Sequence, residues 1–281
     1  MNLIAVSGSS KTEWAFVEND ILIALTETEG INPYFQTRRE MSRSIRLGLG
    51  EEYFHKKLNH IYFYGAGCSD EIKKKLVSQS LVSQFKTPAS IESDLLGTAR
   101  SQCMDKVGIA CILGTGSNSC FYDGTQITKN VRPGGYILGD EGSASAIGRA
   151  FLSDVLKELA PQDLADTFFF QQHTSVAEIM EAVYDKPLPH YYLSSVSSFL
   201  SEYQQSAYVK NLVVNSFRNF MKRNLCQYQY QNVPVYFTGF VALNFSLILR
   251  DVCKEFNFEP ANIGASVMQG LVKYHAQHLC V

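Results

Sequence analysis

One local pattern occurs twice in this chain. Leu3-Ile4-Ala5-Val6 runs into Ser7-Gly8-Ser9-Ser10, and Ala110-Cys111-Ile112-Leu113 runs into Gly114-Thr115-Gly116-Ser117. Each is an apolar strand emptying into a turn of small residues. The order of elements behind each strand repeats as well. After the first come strand patterns at 12–17 and 21–27, a helix pattern at 37–49, a strand at 61–64 and a helix at 70–80. A short segment at 90–92 then leads into a helix at about 95–103. The strand at 108–113 restarts the order. Strands at 119–123 and 126–131 come after it, with a long helix from near Ser143 that ends before Pro161. A helical stretch runs to about residue 228, broken at Pro187 and Pro189. A strand at 234–238 and helices at 241–256 and 267–278 complete the chain. An internal repeat constrains a fold more than any single motif. It predicts an α/β protein of two related domains, residues 1–104 and 105–265, with one small-residue turn from each at an interdomain cleft. The second domain carries a helical insertion at about 161–230, and a last helix at about 266–281 packs back on the first.

Composition narrows the function. The chain has 281 residues, 46% hydrophobic and 19% charged. That is enough for two cores, and nothing in it suggests disorder. A net charge of -2 offers no basic face for a nucleic acid. Lys73-Lys74-Lys75 and Lys222-Arg223 read as solvated helix faces. No apolar run reaches the length that spans a membrane. The first residues are too short and lack the basic flank of a secretory leader. Seven cysteines, none in a CxxC pair, read as buried thiols of a cytoplasmic protein.

Turns rich in Gly, Ser and Thr let backbone N–H groups converge on an anion, and hydroxyls or a lysine add donors. A matched pair of them suits the β- and γ-phosphates of a nucleotide. Other motifs fit less well. Ser9-Ser10-Lys11-Thr12 lacks the upstream glycines of a Walker loop, and Gly65-Ala66-Gly67 and Gly114-Thr115-Gly116 lack a third glycine. His275 and His278 share a helix face and read as surface residues at a helix end rather than metal ligands. Asp94, at a strand-to-helix junction, either caps the helix through Leu95-Leu96 or accepts the proton of an attacking hydroxyl. Asp140, in Gly139-Asp140-Glu141-Gly142-Ser143, either complements a helix N-terminus or binds sugar hydroxyls.

Together these blocks resemble a known family. Ser7 to Trp14, Gly30-Ile31-Asn32-Pro33, Tyr64-Gly65-Ala66-Gly67, Leu113 to Asn118 and Gly134 to Ser143 are similar to the N-acetylglucosamine kinase-like branch of the BadF/BadG ATPases. The resemblance spans nearly the whole chain and implies the actin/hexokinase/Hsp70-like fold, two duplicated ribonuclease H-like domains. It implies that Gly8, Ser9, Ser10 and Lys11 hold ATP phosphates from one turn and Thr115 and Gly116 from the other. It implies Gly239 on the adenosine side, with Gly264-Ala265-Ser266 near the base, Asp94 as catalytic base, and Asn32, Gly135, Tyr136 and Asp140 against the sugar. ATP and Mg²⁺ are the implied cofactors, with the metal ligands unassigned, and a homodimer built on the helical region is implied.

One departure matters. Members carry an acidic residue where this chain has Val6, and valine offers no oxygen to Mg²⁺. The expectation is therefore an ATP-dependent kinase of N-acetylglucosamine or a related amino sugar, acting at a primary hydroxyl, with reduced activity. The alternative is a sugar- or nucleotide-binding pseudo-kinase. A third branch, the iron–sulfur activators of dehydratases, needs clustered thiolates, and the cysteines here are dispersed.

Overall fold

The structure is a computed structural model that describes residues 1–8, 10–264 and 266–278. Ser9 and Ala265, expected near the phosphate and the base, lie outside the described residues, as does Cys280. The first half runs β1 (Asn2–Ser7), β2 (Lys11–Glu18), β3 (Ile21–Glu29), α1 (Arg38–Gly48), a single turn α2 (Glu51–Phe54), β4 (His60–Gly65), α3 (Glu71–Phe85), β5 (Ala89–Ser93) and α4 (Asp94–Cys103). The second runs β6 (Gly108–Leu113), β7 (Ser117–Tyr122), β8 (Ile127–Val131), the short α5 (Gly135–Leu138), α6 (Ala144–Leu156), α7 (Gln162–Gln171), α8 (Val176–Tyr184), α9 (Pro189–Glu202) and α10 (Ala207–Arg223). It ends with β9 (Val235–Thr238), α11 (Phe240–Asn244), α12 (Ser246–Glu255), β10 (Asn262–Gly264) and α13 (Met268–His278).

The duplication is visible in the sheets. The first has the strand order β3-β2-β1-β4-β5 and the second β8-β7-β6-β9-β10. In both, the opening hairpin strands lie on one side of the first strand and the later strands on the other. β1 pairs antiparallel with β2 and parallel with β4, and β4 pairs parallel with β5. Two compact units result: Met1–Ala110 with Tyr122–Thr128 and Ser266–Val281, and Cys111–Phe121 with Lys129–Ala265.

Alternation along β1 explains why its sheet is buried on both faces. Leu3 and Ala5 face a core with Trp14, Phe16, Ile61 and Phe63, under α1 and α3. Ile4 and Val6 face the other side, where Ala15 and Tyr64 meet Val267, Met268 and Leu271 around the start of α13. Local signals set the helix starts. Thr37 and Glu40 form a capping box on α1, Asp70 caps α3 and Ser143 caps α6.

Three expectations are corrected and one strand is added. The helix expected over 241–256 is two helices, α11 and α12, meeting at Phe245, which is buried with φ -108° and ψ 30°. The three-residue strand β10 is too short to give a periodic signal. Lys73 and Lys74 are not merely solvated: Lys73 Nζ donates to the Pro33 carbonyl at 2.9 Å, and Lys74 pairs with Glu92 at 2.8 Å. His275 is not a surface residue. It is buried, its Nε2 lies 2.9 Å from the Tyr64 hydroxyl, and burial lowers its pKa to about 3. Only His278 is part-exposed, and it pairs with Asp105 at 2.9 Å.

Candidate active site

In the first unit, the register of three parallel strands gathers the candidate groups. Ser7 lies opposite Gly65, and Gly65 opposite Ser93. The turn from Gly8, the Ala66-Gly67 turn and Asp94 therefore stand side by side at the carboxyl ends of β1, β4 and β5. That edge is where open α/β sheets bind ligands. The Ala66 N–H donates to the Ser7 carbonyl at 2.8 Å and locks two of these turns together.

The Ser7 hydroxyl belongs to the frame. It accepts from the Ile31 N–H at 2.8 Å and lies 2.8 Å from the Thr12 hydroxyl. The Gly8 N–H closes the turn on the Lys11 carbonyl at 2.9 Å, which leaves Ser10 exposed at its tip. Lys11 is held sideways. Its ammonium lies 2.7 Å from Glu27 and 3.0 Å from Glu13, and the Glu27 hydrogen bond raises its pKa. A phosphate role for Lys11 would need it to leave these carboxylates.

Asp94 is not the helix cap. Ser93 is, accepting from the Leu96 N–H at 3.2 Å. Asp94 is the first helical residue, with Oδ1 2.9 Å from the Leu95 nitrogen. Desolvation pushes its carboxyl up to about 6, against the pull of the Leu95 N–H and its own. A carboxylate poised near neutrality is matched to taking a proton from a hydroxyl. Asn32 is buried against Gly67: a Cβ on Gly67 would lie 2.4 Å from Asn32 Oδ1. Its Oδ1 accepts from the Tyr34 N–H at 3.0 Å, and its amide NH₂ has no acceptor among the described residues, so it is free to donate to a ligand.

In the second unit the equivalent turn is built more openly. Its carbonyls are pinned to the start of α6: Ala144 N–H donates to Gly114 O at 2.9 Å, and the Ser145 N–H and hydroxyl donate to Thr115 O at 3.1 and 2.7 Å. The Thr115 and Gly116 N–H groups have no backbone acceptor among the described residues. Such a turn is a ready anion cradle. Gly239 abuts it, with φ +99° and a hypothetical Cβ 2.4 Å from the Leu113 carbonyl, so only glycine fits there. Phe240 reaches the edge of Gly114.

Asp140 joins this turn. It is buried with φ 53°, its Oδ1 accepts from the Ser117 N–H at 3.3 Å, and a Cβ on Gly116 would lie 2.9 Å from Oδ2. Its carboxylate thus faces the phosphate turn rather than complementing α6. Burial, reinforced by the neighbouring Glu141, pushes it up to about 6. Glu141 itself is held by Arg223 at 2.7 Å. Gly135 and Tyr136 sit in α5, which Arg149 braces by donating to the Tyr136 and Ile137 carbonyls. The Tyr136 ring lies 5.5 Å from that of His190, a neighbour that sequence spacing offered no means of finding.

The metal question is decided locally. Val6 packs against the apolar cluster of Ile4, Ala15 and Tyr64. Glu13, its direct partner across the β1–β2 ladder, is engaged by Lys11 and by the Ser266 hydroxyl at 3.0 Å. Among the described residues no group of three His, Cys, Asp or Glu side chains is placed to hold a metal.

Two sheets of one strand order, each with a small-residue turn at the end of its first strand, define an actin-like sugar-kinase architecture. No family model and no curated protein matches the chain. Among solved structures it is similar over 99% of its length to a Porphyromonas gingivalis protein described provisionally as an N-acetylglucosamine kinase, at 37% identity, TM-score 0.94 and full coverage of that chain. A second such protein, from Chromobacterium violaceum, matches at 15% identity and TM-score 0.75, with 97% of this chain and 98% of that one covered. A ROK family glucokinase from Streptomyces griseus, solved with glucose and AMPPNP, matches at 15% identity and TM-score 0.57 over 97% of each chain, and shares the fold. The chain belongs to the family of the Porphyromonas gingivalis protein, the N-acetylglucosamine kinase-like sugar kinases, and is a phosphotransferase. No helix among the described residues is long and apolar enough to cross a membrane.

Proposed function

We propose that this chain is an ATP-dependent kinase of N-acetylglucosamine or a related amino sugar, in the BadF/BadG group, transferring the γ-phosphoryl to a primary hydroxyl. The observation that carries the reading is Asp94: a carboxyl raised to about 6 at the carboxyl end of β5, level with the Gly8 turn. The sugar hydroxyl gives its proton to Asp94 as its oxygen attacks the γ-phosphorus, and ADP leaves from the far side. The free N–H groups of Thr115 and Gly116, and Ser10 in the other turn, hold the phosphates. Asn32 and Asp140 hold sugar hydroxyls, the amide donating and the carboxylate accepting. Mg²⁺ would accompany the nucleotide and supply charge neutralisation at its phosphates, since Val6 offers it no oxygen. The pseudo-kinase alternative gains no support from the relatives.

A coupled assay of ADP release with a panel of hexoses and amino sugars tests this reading. Turnover highest with N-acetylglucosamine and lost in Asp94→Asn is expected. Equal ADP release from both proteins with every sugar would remove Asp94 from the mechanism. Turnover confined to sugars without an amino group would remove the substrate assignment.

A further inference from the structure

A cavity lies in the first unit, lined by β4, β5, α4 and α13 rather than by the phosphate turn. Its volume is about 290 Å³, and Tyr62, Tyr64, Ser90, Arg100, Tyr274 and His278 line it, with Glu92 and His275. Arg100 is the unusual member. Guanidinium groups inside proteins are normally paired with a carboxylate. Arg100 has no ion pair among the described residues. Its Nη1 donates to the Tyr64 hydroxyl at 3.0 Å, and its Nε is sealed from solvent without an acceptor. The guanidinium lies 5.8 and 5.3 Å from the ring centroids of Tyr64 and Tyr274. Rings hold a cation in place but do not satisfy its N–H groups.

Glu92 shares the chamber and its charge acts on Arg100, but neither nearby carboxylate forms an ion pair with the guanidinium. Glu92 is bound by Lys74 at 2.8 Å, and Asp105 by His278 at 2.9 Å. The buried His275 stays neutral, its pKa pushed down by burial. Behind the lining, the buried Tyr122 hydroxyl has no partner among the described residues, and Tyr274 and Arg100 both act on it electrostatically. The Ser90 hydroxyl adds a polar group to the lining, 2.8 Å from a ring nitrogen of His60.

We propose that this chamber binds a small tetrahedral oxyanion, the phosphate of a phosphorylated small molecule or free phosphate, with Arg100 as its principal ligand. The fork geometry of arginine suits such an anion, and among the described residues the outer Nη groups make one hydrogen bond, to Tyr64, so phosphate oxygens would accept from the rest of the fork while the sealed Nε stays out of reach. Binding there bridges α4 and α13. Arg100 and Asp94 share α4, six residues or about 9 Å apart along its axis, so occupancy would stiffen the helix that carries the base.

Thermal unfolding of the full chain with inorganic phosphate, against chloride at matched ionic strength, tests the proposal. Wild type should show a saturable rise of roughly 2–4 °C at millimolar phosphate. Arg100→Met should lose the rise while keeping the stabilisation that AMPPNP gives, which separates this chamber from the nucleotide site. Ser90→Glu places a competing carboxylate from an exposed strand position and should also lose it, even if Arg100→Met fails to fold. Glucosamine 6-phosphate in place of inorganic phosphate separates the sources: a midpoint at tenfold lower concentration identifies a phosphorylated sugar, and equal midpoints identify free phosphate. An equal phosphate response in wild type and in either variant would overturn the assignment.

Discussion

Replacing Asp94 by Asn should trade activity for stability. The carboxyl moves from an ordinary 3.8 to about 6 because burial disfavours its charge. A group raised in the folded state stabilises fully below the unfolded value and loses that contribution as pH rises through the folded one. Asp94 therefore costs stability above pH 6. The interval corresponds to roughly 3 kcal/mol, and partial solvation reduces it to about 1–2 kcal/mol. Asparagine keeps the volume and an oxygen for the Leu95 N–H but never charges. At pH 8 the variant should melt roughly 2–6 °C above wild type, and at pH 4 the two should nearly coincide. Its kcat should fall by about 10²–10⁴. In wild type, kcat/KM should rise through pH 6 to a plateau as the base loses its proton; Asp140, also near 6, sharpens the limb. Differential scanning calorimetry at the two pH values and a coupled ADP assay read both effects. A variant less stable than wild type at pH 8, or with kcat within tenfold of wild type, would refute the argument.

Other substitutions probe the frame around the site. Gly116→Ala would drive a methyl to 2.9 Å from Asp140 Oδ2, a movable side-chain end, so Tm should hold within about 1–2 °C while KM for the sugar rises several-fold in steady-state kinetics. Ser143→Ala removes the cap of α6, which also anchors Gly114 and Thr115, and should cost about 1 kcal/mol by urea denaturation. Val6→Asp sets a carboxylate among Ile4, Ala15 and Tyr64 and directly opposite Glu13; a loss of roughly 1–3 kcal/mol is expected by the same measurement.

Much of this molecule is written locally. The period-2 run of β1, the small residues after it and the recurrence of both at Gly108 to Ser117 depend only on neighbours in sequence, as do the caps at Thr37, Asp70 and Ser143. Chain order alone thus determined an α/β duplication and the two turns. What it left open concerned partners far along the chain. Whether Asp94 capped α4 or stood as a base was open until the fold gave the cap to Ser93. Whether Asp140 faced α6 or Gly116 depended on a contact 24 residues away. His275 looked like a frayed helix end until α13 placed it against Tyr64, 211 residues earlier. Nothing in the sequence marked Arg100, whose Nε the fold buries without an acceptor among the described residues. Periodicity reports which face of an element is apolar; only the packing of distant elements fixes what that face meets, and burial and pKa follow from that meeting.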